Sequence, residues 1–336
     1  MIAFVTGSTG YLGRWVVRRL ASEGATVRCL IRQSSSIREL QDFVGPDLWG
    51  MVEVVRGELL KPESYRSALQ GVDVVHHLAA GKTGGAPALF LSTVVPARSF
   101  VTACCEMGVP RFVLVSSLGI YGAGALKSGS TLDETCPPEP QPQRRDAYSF
   151  SKVIQEQVCR EIAIAHGLPF VILRPGVIIG PGPGAMSTRI GLSLAGLTCR
   201  IGGARELPYT YVENCAAAIC LAGRQTGVRD EAINILDDDL PTVRGVLAAY
   251  RRLGRKKRTV WLPQFAIGPL SSVYEWYHRY SEGQLPGIIT RYQTDAFWKP
   301  LRFSNRKAKD LLSWTPHVPM AQALERSILG TEPRAA

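Results

Sequence analysis

The chain has 336 residues, 46% hydrophobic and 20% charged, enough for one large domain or two unequal lobes around a full core, and the composition excludes a disordered chain. A net charge of +11 fits an anionic ligand, a membrane surface or nucleic acid, but no nucleic-acid-binding motif accompanies it, so nucleic acid is set aside. Eight cysteines without a CxxC pair and five histidines without ligand spacing exclude a structural metal and fit a reducing, cytoplasmic setting.

Residues 2–6 form an apolar run directly after Met1 and read as a buried first strand, not a signal peptide. The segment Thr6-Gly7-Ser8-Thr9-Gly10-Tyr11-Leu12-Gly13 follows and opens a helix over 12–23. Glycines at such a turn permit close approach of backbone to a pyrophosphate, and the helix N-terminus supplies free N–H groups and a positive dipole end. Gly7, Thr9, Gly10, Tyr11, Leu12 and Gly13 are therefore candidate dinucleotide contacts. A second strand, 26–31, ends at Arg32, nineteen residues beyond Gly13, where an NAD-binding chain usually places an acidic residue for the ribose hydroxyls. Arginine suits a 2′-phosphate, with Arg28 and Ser34 to Ser36 as further donors, and NADP(H) is expected over NAD(H).

A helix is expected over 62–69, a strand over 72–78 ending in the structural pair His76-His77, a helix around 90–107 and a strand over 111–116. That strand delivers Ser116 and Ser117 to the carboxyl edge of a sheet, where α/β folds bind ligands. A stiff Pro-rich loop, 137–142, leads into a helix over 147–166, and a strand follows over 169–174. The strands are continuous apolar runs, as in parallel sheets covered on both faces. The fold class is α/β: a doubly wound parallel sheet of the Rossmann type. Tyr148 and Lys152 lie one turn apart on the 147–166 helix, so the ammonium can favour the phenolate and make the pair an acid or base for a hydroxyl or carbonyl.

Beyond Arg174 the pattern loosens into a Gly/Pro turn at 180–184, a helix-forming stretch 186–197, a strand-like 209–212 and a helix over 214–222. The last third is rich in aromatics, and its basic cluster, Arg251 to Arg258, reads as a helix end with a solvated loop before a strand-like 259–262. The apolar stretch 259–270 is too short and too interrupted to cross a bilayer. Residues 1–174 are assigned to a dinucleotide-binding domain, with sheet contributions from parts of 205–240, and 175–336 mainly to a smaller substrate lobe.

The joint order of Thr6 to Gly13, Gly57-Glu58-Leu59, the 72–80 run, Val115 to Gly122, Tyr148 to Lys152, Arg174-Pro-Gly-Val, Tyr211-Val-Glu-Asn and Leu312-Ser-Trp-Thr-Pro resembles extended short-chain dehydrogenases/reductases over nearly the whole chain. The resemblance implies Ser117, Tyr148 and Lys152 as the catalytic set. It also implies Glu58 and Leu59 beside the adenine, Leu78, Ala79 and Ala80 beside the phosphate-ribose region, and Pro175 to Val177 on the nicotinamide side. Val177 and Leu207 stand where nucleotide-sugar enzymes of that family carry asparagine and arginine, so the chain is most similar to the 3β-hydroxysteroid dehydrogenase and dihydroflavonol reductase branch. Ser92 and Ser99 replace a frequent asparagine. The implied activity is NADP(H)-dependent interconversion of a secondary alcohol and a ketone on an apolar small molecule, in a homodimer built on the 90–107 and 147–166 helices. The alternatives are an epimerase or dehydratase acting by transient oxidation, and a redox-sensing binding protein.

Overall fold

The computed structural model describes residues 1–194, 196–280 and 290–331. Its strands in chain order are β1 (Ile2–Thr6), β2 (Thr26–Ile31), β3 (Val52–Arg56), β4 (Val74–His77), β5 (Phe112–Val115), β6 (Thr131–Leu132) and β7 (Phe170–Pro175). They continue as β8 (Val177–Ile179), β9 (Gly191–Leu194), β10 (Leu197–Ile201), β11 (Tyr209–Tyr211), β12 (Glu231–Ile235), β13 (Arg258–Leu262) and β14 (Arg302–Phe303). Seven of them make one parallel sheet in the order β3-β2-β1-β4-β5-β7-β12, the doubly wound arrangement expected. The seventh strand comes from 231–235, far along the chain.

Side-chain alternation explains why these strands are apolar throughout. Ala3 and Val5 join the core on one face and Phe4 the core on the other; likewise Val113 and Val115 oppose Phe112 and Leu114. On the first face the helix Tyr11–Ser22 packs Val16, Val17 and Leu20 against the helix Val212–Arg224. On the second, Phe100, Val101 and Cys104 of the helix Val95–Glu106 meet Cys159 and Ala163 of the helix Ala147–Ala165. Residues 86–106 are the one described helical stretch long and apolar enough to cross a bilayer. Half of its apolar window is buried in this core, which accounts for its hydropathy.

Three expectations are corrected. Residues 62–69 form two short 3₁₀ turns, Pro62–Ser64 and Arg66–Leu69, because Tyr65 at φ −139° breaks the helix between them. The stretch 186–197 is not a helix but leads into the antiparallel pair β9–β10. Gly196, at φ +79°, supplies a backbone conformation that suits a strand connection, and a Cβ on Gly191 would lie 1.9 Å from the Cys199 carbonyl oxygen. β3 was not anticipated: its Glu53 and Arg56 mask an edge strand whose pairing with β2 is a tertiary event. Smaller sheets, β13-β10-β9 and β11-β8, shape the region beyond β7, and β14 pairs back with β6, which precedes it.

Candidate active site

Outside the carboxyl ends of the central strands lies a cleft of about 820 Å³. It sits where strand order reverses about β1, the position at which open α/β sheets take ligands. Gly7, Thr9, Gly10, Tyr11, Leu12 and Gly13 line one part of it, facing Leu78, Ala79 and Ala80. Gly7 has φ +73°, and a Cβ there would meet Ala79 N at 2.8 Å. The turn is closed by Gly10 N donating to Gly7 O at 3.0 Å. No side chain caps the helix Tyr11–Ser22 and no acidic residue stands in its first turn, so its N-terminal donors face the cleft without a side-chain acceptor. That arrangement fits the pyrophosphate of a dinucleotide.

A Cβ on Gly13 would lie 2.0 Å from the Gly7 carbonyl oxygen, which is backbone and cannot rotate away. Gly13→Ala is therefore expected to open the turn and weaken dinucleotide binding by at least about 100-fold. Fluorescence titration of the purified variant checks this, with circular dichroism to confirm the fold.

Arg32, exposed at the end of β2, lines the cleft with Ser35, Glu58 and Leu59. Arg28 does not. Its guanidinium is held by Glu53 Oε2 at 2.8 Å and by the carbonyls of Ala68 and Gln70, so the expected second donor is committed to the sheet edge. Glu58 and Leu59 are fixed by main-chain contacts: Glu58 N donates to Ser64 Oγ at 3.1 Å, and Tyr65 OH donates to Leu59 O at 3.1 Å.

The other end of the cleft carries Ser117, Tyr148, Lys152 and Pro175. Asp146 caps the helix Ala147–Ala165 by accepting from Ser149 N at 2.9 Å, which fixes the turn that presents Tyr148. Ser117 Oγ accepts from Gly119 N at 3.1 Å and stands beside the Tyr148 phenol in the cleft. Burial raises the Tyr148 phenol above its ordinary value of 10.0, while the Ser117 hydrogen bond pulls it down. The direct Lys152 effect expected from the spacing is not what sets it. Lys152 is 2% exposed, and its Nζ donates to Val115 O at 2.8 Å and Gln155 Oε1 at 2.6 Å. Burial lowers the ammonium to about 8, with Cys159 and Glu156 opposing.

Sequence reasoning passed over the scaffold around this pair. Gln155, three residues beyond Lys152, orients the ammonium and approaches His77 Nε2 at 3.4 Å, and His77 Nδ1 meets Thr6 Oγ1 at 2.8 Å. Burial, then the Lys152 charge, lowers His77 to about 3, so the ring stays neutral. Glu156 pairs with Arg174, which donates to Tyr121 OH at 2.7 Å; Tyr121 in turn donates to Asn234 Oδ1 at 2.8 Å. The helical spacing of Lys152, Gln155 and Glu156 was visible, but their partners come from β4, β5 and β7. Val177 is not among the residues lining the cleft. It stands opposite Tyr209 in the β8–β11 pair, while Gly176 and Ile178 line the cleft.

Ser92 also lines the cleft, but its hydroxyl donates one turn back to Ala88 O at 2.7 Å, and Ser99 is bonded to Tyr65. Neither hydroxyl replaces an asparagine side chain reaching forward. Pro96 lacks the N–H that would serve Ser92 O, and the chain widens into a π turn over Phe90–Val94 just before it. No cluster of metal-ligating side chains occurs among the described residues.

Residues 3–235 match the model of the NAD dependent epimerase/dehydratase family. Cinnamoyl-CoA reductase 1 of Petunia hybrida is 26% identical over 326 residues, covering 94% of this chain and 88% of that protein. The 2-alkyl-3-oxoalkanoate reductase of Shewanella oneidensis is 26% identical over 340 residues, covering 96% and 84%. The crystal structure of gox2253 superposes with a TM-score of 0.78 at 25% identity, covering 98% and 97%.

Proposed function

Because the chain belongs to the NAD dependent epimerase/dehydratase family, the extended short-chain dehydrogenases/reductases, we propose that this enzyme is an NADP(H)-dependent oxidoreductase interconverting a secondary alcohol and a ketone on a mainly apolar small molecule. The observation that carries the reading is Ser117 and Tyr148 side by side with buried Lys152 at one end of a cleft whose other end holds the Gly7–Gly13 turn. A bound dihydronicotinamide supplies hydride to the substrate carbon. In the direction of reduction, Tyr148 delivers its proton to the carbonyl oxygen and Ser117 donates a hydrogen bond to the same oxygen; oxidation reverses both. Lys152, Gln155 and Val115 O hold the base of the tyrosine's helix in register. Val177 and Leu207, both apolar and neither lining the cleft, leave no asparagine or arginine at the positions nucleotide-sugar enzymes use. The reductase names of both full-length relatives support net reduction over transient oxidation.

Arg32 stands exposed at the cleft wall beside Ser35 and has no acidic partner among the described residues, which supports a phosphate on the adenosine ribose. Absorbance at 340 nm with apolar ketones is expected to fall faster with NADPH than with NADH, and Arg32→Ala is expected to lose about tenfold in NADPH preference. Unchanged selectivity removes Arg32 from this role. A cofactor that stays bound and is never consumed points to an epimerase or dehydratase.

A further inference from the structure

The segment 251–280 is the least conventional surface of the molecule. It begins with Arg251, Arg252, Arg255, Lys256, Lys257 and Arg258, all exposed and none ion-paired among the described residues. Lys257 lies over the Tyr250 ring at 5.2 Å, and no carboxylate among the described residues pairs with the group. The chain then exposes large apolar side chains one after another: Val260 at 53% and Trp261 at 57% on β13, and Phe265 at 83% in the turn that follows. The helix Ile267–Tyr280 continues the series with Leu270, Val273, Trp276, Tyr277 and Tyr280, a spacing of three to four residues that gathers them on one face. The opposite side holds the buried Ile267 and Ser271, so the helix is anchored inward and its apolar stripe faces out. On the small sheet, Leu192 and Val260 flank Cys199 on a shared face, and exposed Leu197 stands opposite Arg258.

A surface helix of a water-bathed protein turns its apolar stripe to the core, and singly exposed hydrophobics need no explanation. Here the order is inverted over one continuous stretch. Residues 243–280 contain a single acidic residue, Glu275. Cations beside tryptophan, tyrosine and phenylalanine form the combination that places aromatic rings at headgroup depth while the charges meet anionic phosphates. Self-association through a two-fold interface would instead bring two copies of the same basic cluster together, at a Coulombic cost.

We propose that residues 251–280 form a peripheral docking surface for an anionic phospholipid membrane, with the basic loop on the headgroups and the Phe265–Tyr280 face at the acyl boundary. This holds whatever the substrate of the cleft.

Co-sedimentation of the full chain with phosphatidylcholine vesicles containing phosphatidylglycerol, against phosphatidylcholine alone, tests it. Binding to the anionic vesicles is expected to be at least about tenfold tighter, to weaken with salt, and to shift tryptophan fluorescence to the blue. The double change Lys256→Gln, Lys257→Gln is expected to weaken binding about 30-fold. Phe265→Ser with Trp276→Ser is expected to weaken it comparably and to remove the blue shift. Both variants should bind NADPH as the parent does, because none of these residues lines the cleft. Failure to bind anionic vesicles overturns the proposal. So does retention of vesicle binding in either variant, as does binding to a nucleic-acid duplex that survives the aromatic changes.

Discussion

Tyr148→Phe is expected to reduce turnover by about a thousandfold or more while leaving the affinity for NADPH within about threefold of the parent. The asymmetry follows from what the phenol touches. It stands beside Ser117 at one end of the cleft, whereas the Gly7–Gly13 turn, Arg32 and Glu58 line separate parts of it. Phenylalanine keeps the ring and the packing of the helix Ala147–Ala165, so the loss reports the proton and not the fold. Ser117 cannot substitute, because an unassisted serine hydroxyl is far too weak an acid to deliver its proton to the substrate oxygen. Steady-state rates with isothermal titration of NADPH separate the two effects; full activity in Tyr148→Phe refutes the mechanism. Lys152→Met should cost both, since the ammonium is fixed on the cofactor-facing wall by Val115 O and Gln155.

The parts of this molecule that were legible in the sequence are those whose cause is local. A strand covered on both faces must be apolar at every position, and β1, β5 and β7 announced themselves that way. The glycine turn was legible because only glycine tolerates its close approaches, and Tyr148 with Lys152 because helical spacing is fixed. What stayed hidden depends on partners distant in sequence. Gln155 is an unremarkable polar residue until β4 brings His77 to it, and Arg28 resembles a phosphate ligand until β3 supplies Glu53. The leucines of 192–197 carry a spacing that suits helix or strand, and pairing with β13 through β10 decides for strand. The burial of Lys152 is likewise tertiary: the i, i+4 rule places its ammonium near the phenol, and β5 draws it to a carbonyl instead.

The free cysteines make a second large effect, on stability at alkaline pH. Burial pushes the Cys29 and Cys159 thiols up to about 12, and raises Cys104, Cys215 and Cys220 well above the usual thiol range. An unfolded chain ionises these thiols near their ordinary value of 9.0 while the folded protein keeps them protonated. Stability is therefore complete below pH 9 and is lost as pH rises from there toward 12. Each thiol removes about 1.4 kcal/mol per pH unit, so five remove about 7 kcal/mol per unit. Lys152, lowered to about 8, acts in the opposite sense over the same window, since the unfolded chain holds its proton longer. That offsets about one thiol's contribution and leaves a net loss. A loss of several thiols' contributions is large beside the stability of a typical domain. Urea unfolding under reductant should show its midpoint falling steeply between pH 9 and 10. Replacing the fully buried Cys215 by alanine should flatten that slope by about 1.4 kcal/mol per unit, even though the variant is less stable at pH 7. A midpoint independent of pH over this range would mean that the thiols ionise as readily in the folded chain as in the unfolded one, which their burial in the two faces of the sheet forbids.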